Sequence, residues 1–413
     1  MWYIVFLFII GLNVLFNYYL NKTTGYPPFL FSLVWFIVVF FHFLCNTFDL
    51  VSIFELSFKV LCIYTLGVVL FTLGGLAIKL KVKFEYVTPE ENQFIEVRKN
   101  FDVVLILITL VFLPFFLISS YQLAIEYIIY DSLFAGLRNS TIQEQDIGFS
   151  KYGINFAYIS FFLQFYLYIY KKHNGFRLSI SAIILLLFCF FSTGRTFFIV
   201  YMCLIFGILI IFQKLKKKHL FYAFSGFLVL FSTIGILLNN GGSTENNVKE
   251  NISGLAENFM IYLLGSLSAF DAFIHTNYTN TYGENSFRFI YSVFYKIGSA
   301  RAKPIELVDQ YVSIPFDTNV YTLYKIYFQD FGLLFMMLVV FSMALLHTYF
   351  YLKAINGRQF MPTFIYSVML YPLFMSFFQE QYLSLMPTWI YFMCIALVVK
   401  LFLVEKEKEK VIV

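Results

Sequence analysis

The stretch FFSTGRTFFIV (190–200) sets one arginine in the middle of an apolar run, and its reading decides the fold. An arginine near the centre of a lipid-facing helix costs at least about 2.5–3.5 kcal/mol, which argues against one unbroken helix through Arg195. The run 178–212 resolves the conflict when it is split at Thr193 and Gly194. Each half is then a helix of about 17 residues, about 25 Å long at about 1.5 Å per residue, somewhat short of a hydrocarbon core of about 30 Å. The turn STGRT (192–196) therefore sits at, or slightly below, a membrane interface. There Arg195 either snorkels to lipid headgroups or binds an anion beside the exposed amides of the helix that begins at Thr196.

Composition extends this reading to the whole chain. Of 413 residues, 60% are hydrophobic and 13% charged, with a mean hydropathy of +0.77. Soluble domains sit nearer 45–50% apolar and about 25% charged, so the chain reads as an integral membrane protein. The net charge of +5 is dispersed over short loops and forms no basic stripe, so it reports topology and not a nucleic-acid partner. Cys45, Cys62, Cys189, Cys203 and Cys394 lie in or beside apolar runs without C-x-x-C pairing and read as packing thiols. The first twenty residues have neither a basic leading region nor a small-x-small cleavage site, which favours a retained first span over a signal peptide.

Counting runs of about 20 apolar residues predicts about eleven spans: 2–20, 29–45, 57–79, 101–119, 153–170, 178–193, 196–212, 219–238, 331–350, 361–378 and 386–404. Lys79, Lys81, Lys83, Arg98 and Lys99 fall in one connecting segment, Lys171, Lys172 and Arg177 in a second, and Lys214, Lys216, Lys217 and Lys218 in a third. Lys353 and Arg358 occupy a fourth, and Lys406, Lys408 and Lys410 the tail. With this number of spans all five fall on one side, which the positive-inside bias makes cytoplasmic. The expected layout is a membrane bundle over 1–238, an extracytoplasmic loop over 239–330, three final spans over 331–404 and a charged cytoplasmic tail over 405–413, with the N-terminus outside and the C-terminus inside.

The loop 239–330 opens with the turn-rich NNGGSTENN and is too long for a simple connector. Within it 257–274 is semi-apolar and reads as a segment lying flat on the membrane or closing over a cavity. Arg288, Lys296, Arg301 and Lys303 stand on the outer side, against the charge bias. They either balance Glu284, Glu306 and Asp309 in solvated pairs, or at least one arginine clamps a phosphate or pyrophosphate. In IPFDTNVYTLYKIYFQDFG (314–332), Asp317 or Thr318 is the expected N-cap of a helix following Pro315. On that helix Tyr321, Tyr324, Lys325 and Phe328 share a face, suited either to a sugar ring or to the start of a span at the interface. Asp330, at the mouth of the next span, is a candidate base or a solvated loop-end acid.

The chain lacks G-x-x-x-x-G-K-[ST], H-E-x-x-H, G-x-S-x-G and any glycine-rich nucleotide loop, and its histidines are scattered. Soluble catalysis with nucleotide or zinc is disfavoured, and neither a metal nor another cofactor is expected.

The residues STGRT after an apolar span, the long outward loop, and above all TNVYTLYKIYFQDFG (318–332) leading into the next span resemble the O-antigen polymerase (Wzy-type) family of oligosaccharide repeat-unit polymerases. The layout of spans extends the resemblance over nearly the whole chain, while the motifs occupy a small part of it. The resemblance implies an all-α polytopic membrane protein like the lipid-donor (GT-C-like) glycosyltransferases, in the bacterial inner membrane. The implied reaction moves a growing glycan from undecaprenyl pyrophosphate onto an incoming lipid-linked repeat unit at the periplasmic face, without a metal. Its implied partners are lipid-linked oligosaccharides, membrane lipids, a chain-length regulator and a flippase. Matched to that chemistry, Arg195, Arg288 and Arg301 are candidates for the pyrophosphate. Asp330, Asp317 and Glu284, in that order, are candidates for the base, and Asn319, Tyr321, Tyr324 and Lys325 for substrate contacts. An oligosaccharide flippase and an O-antigen ligase remain the alternatives.

Overall fold

The computed structural model describes residues 2–81, 94–128, 132–143, 145–170, 175–237, 248–276, 278–299, 303–305 and 309–406. The predicted positions Arg301, Glu306, Lys83, Lys171, Lys172, Lys408 and Lys410, and the NNGGSTENN turn, lie outside the described residues.

The described chain is mostly helical: α1 (Trp2–Asn21), α2 (Pro27–Thr47), α3 (Phe58–Lys81), α4 (Phe101–Glu126), α5 (Leu133–Ile142), α6 (Gly153–Ile169), α7 (Gly175–Phe191), α8 (Arg195–Ile211), α9 (Lys217–Leu237), α10 (Val248–Ile274), α11 (Arg288–Lys296), α12 (Tyr324–Gly357), α13 (Phe360–Phe374) and α14 (Met386–Phe402). Each of the predicted apolar runs coincides with one of these helices. Among the described residues six helical stretches, Trp2–Asn21, Pro27–Thr47, Phe58–Lys81, Arg98–Glu126, Tyr324–Gly357 and Phe360–Phe377, are long and apolar enough to cross a membrane. Gly175–Phe191, Arg195–Ile211, Phe259–Ile274 and Met386–Phe402 are apolar but shorter. Short strands β1 (Phe94–Val97), β2 (Val312–Ser313), β3 (Asp317–Thr318) and β4 (Leu403–Lys406) form two antiparallel pairs, β1 with β4 and β2 with β3.

The chain divides into two compact units. The first comprises Met1–Phe84, Ala256–Lys353 and Met369–Pro387. Its helices are joined by buried polar contacts, which hold helices together where water is absent. Asn17 of α1 donates to Ser32 of α2 at 3.2 Å and to Thr72 of α3 at 2.8 Å. A Cβ at Gly74 of α3 would crowd the Phe341 carbonyl and the Ala344 side chain of α12, so this glycine permits close approach of the two helices. Helix ends gather as an alternating bundle requires. Lys79 donates to the Leu20 carbonyl, and Tyr351 meets Asn21 and Thr23 at 3.1 and 2.7 Å. At the opposite end the Leu56 amide donates to the Tyr3 hydroxyl at 2.7 Å.

The second unit comprises Glu85–Leu255, Ala354–Val368 and Thr388–Val413. One of its ends collects parts of those predicted basic loops that belong to this unit. Arg177 pairs with the buried Asp102 at 2.8 Å, and Lys214 donates to the Ile169 carbonyl at 3.4 Å. Tyr166 and Tyr170 donate to the Arg358 carbonyl at 2.9 and 3.2 Å, and Phe94–Val97 pairs in register with Leu403–Lys406. Within this unit these segments share one end. Arg195 begins α8 at the opposite end, where the Tyr158 hydroxyl donates to the Phe197 carbonyl at 2.7 Å.

Two expectations are corrected. The segment 257–274 is not peripheral: it belongs to α10, whose residues Leu264, Leu267, Ala269 and Phe270 are fully buried. Tyr64 of α3 donates to the Leu267 carbonyl at 3.1 Å, and Ser268 meets His42 of α2 at 3.0 Å. Nor do Asp317 and Thr318 cap a helix. They form β3, paired with β2 around Pro315, and the helix begins six residues later at Tyr324.

Candidate functional site

α12 is broken at Gly332, whose φ of 76° is accessible to glycine and costly for other residues. A continuous helix would hold residues 324 and 347 about 35 Å apart. Four ring-to-ring steps, Tyr324 to Trp35 to Phe31 to Phe71 to His347, each of 6.2 Å or less, connect them instead. The break thus turns the short helix 324–331 away from the axis of the long one. Backbone irregularity of this kind at membrane depth is tolerated where protein surrounds it.

The short helix carries most of the predicted site residues. Asp330 is 1% exposed. Its carboxylate accepts from the hydroxyl of Thr281, from the amide and side chain of Asn285 at 3.4 and 3.0 Å, and from the amide and hydroxyl of Ser286 at 2.7 and 2.5 Å. Asn285 also donates to the Gln329 side chain at 3.4 Å. Five donors converge on this carboxylate and clamp the turn 281–287 against the helix. That turn leaves Glu284 exposed.

Lys325 is buried and paired with Asp309, its ammonium 5.0 Å from the Tyr321 ring centre and 5.4 Å from that of Phe273. The Tyr321 hydroxyl donates to the Gln310 carbonyl at 3.0 Å. Burial first, and the Asp309 charge second, push its phenol up to about 12, so it remains a neutral donor. Tyr324 packs against Trp35, Tyr64 and Phe270 and is fully buried. Tyr321, Tyr324 and Lys325, the face suited to a sugar ring or to the start of a span, are thus buried and packed around an ion pair. Asn319 is half-buried and Asp317 exposed, beside the β2–β3 hairpin.

Arg288 begins α11, and its Nε donates to the Ile305 carbonyl at 2.6 Å. Thus Asp330, Asp317, Glu284, Arg288, Asn319, Tyr321, Tyr324 and Lys325 belong to the first unit, and Arg195 to the second.

Sequence reasoning missed Glu380. This acid, 1% exposed, accepts from Tyr327 at 2.8 Å, from the amides of Tyr382, Leu383 and Ser384 at 2.6, 2.7 and 2.9 Å, and from the Ser384 hydroxyl. Tyr382 in turn meets His347 at 2.8 Å. The available signal was an isolated acid in the short QEQYLSL connector just before α14. Among the described residues no three His, Cys, Asp or Glu side chains gather as a metal-binding group.

No family model and no solved structure matches the chain. The chain is 30% identical over 206 residues to an O-antigen polymerase of Shigella dysenteriae. The match takes in 49% of this chain and 51% of that protein, so the chain spans about half the length of the relative it matches.

Proposed function

We propose that the protein polymerises undecaprenyl-pyrophosphate-linked oligosaccharide repeat units into O-antigen or a related surface polysaccharide, at the periplasmic face of the inner membrane. The observation that carries this reading is the 206-residue similarity to the Shigella dysenteriae polymerase, borne on a chain rich in membrane-length helices. The gathering of basic loops at one end of the second unit supports the accompanying orientation, with the tail cytoplasmic.

In the proposed reaction the bond from the glycan's anomeric carbon to the pyrophosphate oxygen breaks, and a bond to an acceptor hydroxyl oxygen forms. The leaving pyrophosphate takes the electron pair, and a carboxylate takes the hydroxyl proton. Because Asp330 is filled by donors, we assign the proton to Glu284, with Asp317 next; both are exposed. Base catalysis of this kind is worth about 10²–10⁴-fold. Arg288, the first residue of α11 in the same unit, is assigned to the anionic leaving group through its planar donors. The reaction needs no metal or other cofactor, and a chain-length regulator and a flippase complete the pathway around it.

A second reading, a lipid-linked oligosaccharide flippase, is favoured by the break at Gly332, since transporters use discontinuous helices. Surface polysaccharide from cells lacking the protein separates the two. The polymerase reading expects the ladder to collapse to single capped repeat units, with the ladder restored by wild type and not by Glu284→Gln at equal protein level. Loss of even the single-unit band would favour the flippase.

A further inference from the structure

α11 is built inside out. On a helical wheel Phe289, Ile290, Val293, Phe294 and, just past the helix end, Ile297 share one arc, opposite Arg288, Tyr291, Ser292 and Tyr295. In a helix packed on a soluble core the apolar arc is covered. Here Ile290, Val293 and Phe294 are exposed, Ile297 is 73% exposed, and α11 has no buried residue. The half-buried positions include the polar Arg288 and Ser292, with Arg288 turned inward to the Ile305 carbonyl.

We infer that α11 is an interfacial helix, lying in the plane of the bilayer with Ile290, Val293, Phe294 and Ile297 in the boundary between headgroups and acyl chains. Continuity with the lipid-facing surface of a span selects this occupant. Phe287, just before α11, meets Phe331 with ring centres 6.3 Å apart, and Phe331 meets Phe335 at 4.2 Å. From there α12 exposes Leu334 and Leu338, the former 77% exposed, in a stretch apolar enough to cross the membrane. The apolar arc of α11 and the outer face of α12 thus form one apolar surface. Exposed Tyr295 and Lys296 suit the headgroup level, where aromatic hydroxyls and cations meet lipid phosphates. The depth of α11 is fixed by the Asp330 clamp, which holds the turn leading into it. This inference rests on the membrane reading and not on the proposed reaction.

The test attaches an environment-sensitive fluorophore to single cysteines at 294, 296 or 297, in full-length protein from which Cys45, Cys62, Cys189, Cys203 and Cys394 have been replaced. The protein is reconstituted into phosphatidylethanolamine and phosphatidylglycerol vesicles. Labels at 294 and 297 are expected to be quenched at least two-fold more by lipids carrying a nitroxide near the headgroup than by aqueous iodide, with the label at 296 reversing that order. Stronger quenching of 294 and 297 by iodide would overturn the inference, as would shielding from both quenchers. If the cysteine-free protein does not fold, a benzophenone amino acid at Phe294 in the otherwise native chain replaces it. Photo-adducts to phospholipid support the inference, and adducts to a second copy of the chain, or none, overturn it.

Discussion

Replacing Asp330 tests whether this acid is a clamp or a base. In Asp330→Ala the amide of Ser286, which donates at 2.7 Å, loses its acceptor and is held by the backbone, so it has no easy replacement. An unsatisfied buried donor costs about 1–3 kcal/mol. The hydroxyls of Thr281 and Ser286 and the Asn285 amide lose charge-assisted bonds but can turn toward other acceptors, adding roughly 0.5 kcal/mol each at the low end of hydrogen-bond values. Together these give about 2.5–4.5 kcal/mol. Asp330→Asn keeps the shape and one acceptor oxygen, so about half that loss is expected. Thermal unfolding in detergent would report the ordering wild type, Asn, Ala, and hydrogen exchange would show lost protection at the Ser286 amide. Unchanged unfolding and protection in both variants, with activity down 100-fold or more, would refute the clamp and restore Asp330 as the base.

The remaining predictions concern packing and charge. In Gly67→Ala the new Cβ would overlap the hydroxyl of the fully buried Tyr324, so a loss of about 1–3 kcal/mol is expected from overpacking. Adding Tyr324→Phe should recover part of it in a double-mutant cycle, whereas strictly additive losses would count against the contact. Lys325→Met strands Asp309, whose side chain is 28% exposed, so water offsets part of the penalty and about 1–3 kcal/mol is expected. Asp309→Asn added to it should restore most of that stability in the same melting assay, and failure to do so would show that Lys325 acts chiefly through its packing. Glu284→Gln should leave the unfolding midpoint unchanged while lowering polymer formation at least 100-fold; equal activity would remove Glu284 from the reaction.

The helices were legible because lipid demands long apolar runs. α10 was misread for a physical reason. Gly265, Ser266 and Ser268 lower its apparent hydropathy, yet they are what let it pack: Ser266 donates to the Phe377 carbonyl at 2.6 Å, and Gly265 lies against the Phe316 ring. The N-cap expected at Asp317 lost to hairpin pairing, in which Ile314 donates to the Phe316 carbonyl at 2.9 Å around Pro315. Asp330 and Glu380 look alike in sequence, single acids near helix ends. Most donors to Glu380 come from the next four residues, a local pattern. Those to Asp330 come from 44 to 49 residues upstream, a distance at which no spacing rule operates. The charge pairing of Lys325 with Asp309 was half visible, since both were noted but not joined.

The most direct test of the central claim is to reconstitute the purified protein in liposomes with undecaprenyl-pyrophosphate-linked repeat units as the sole sugar source. The account expects a ladder of longer lipid-linked glycans, formed without nucleotide sugar and with release of undecaprenyl pyrophosphate. Repeat units that remain single, whether they stay in place or cross the bilayer, would contradict it.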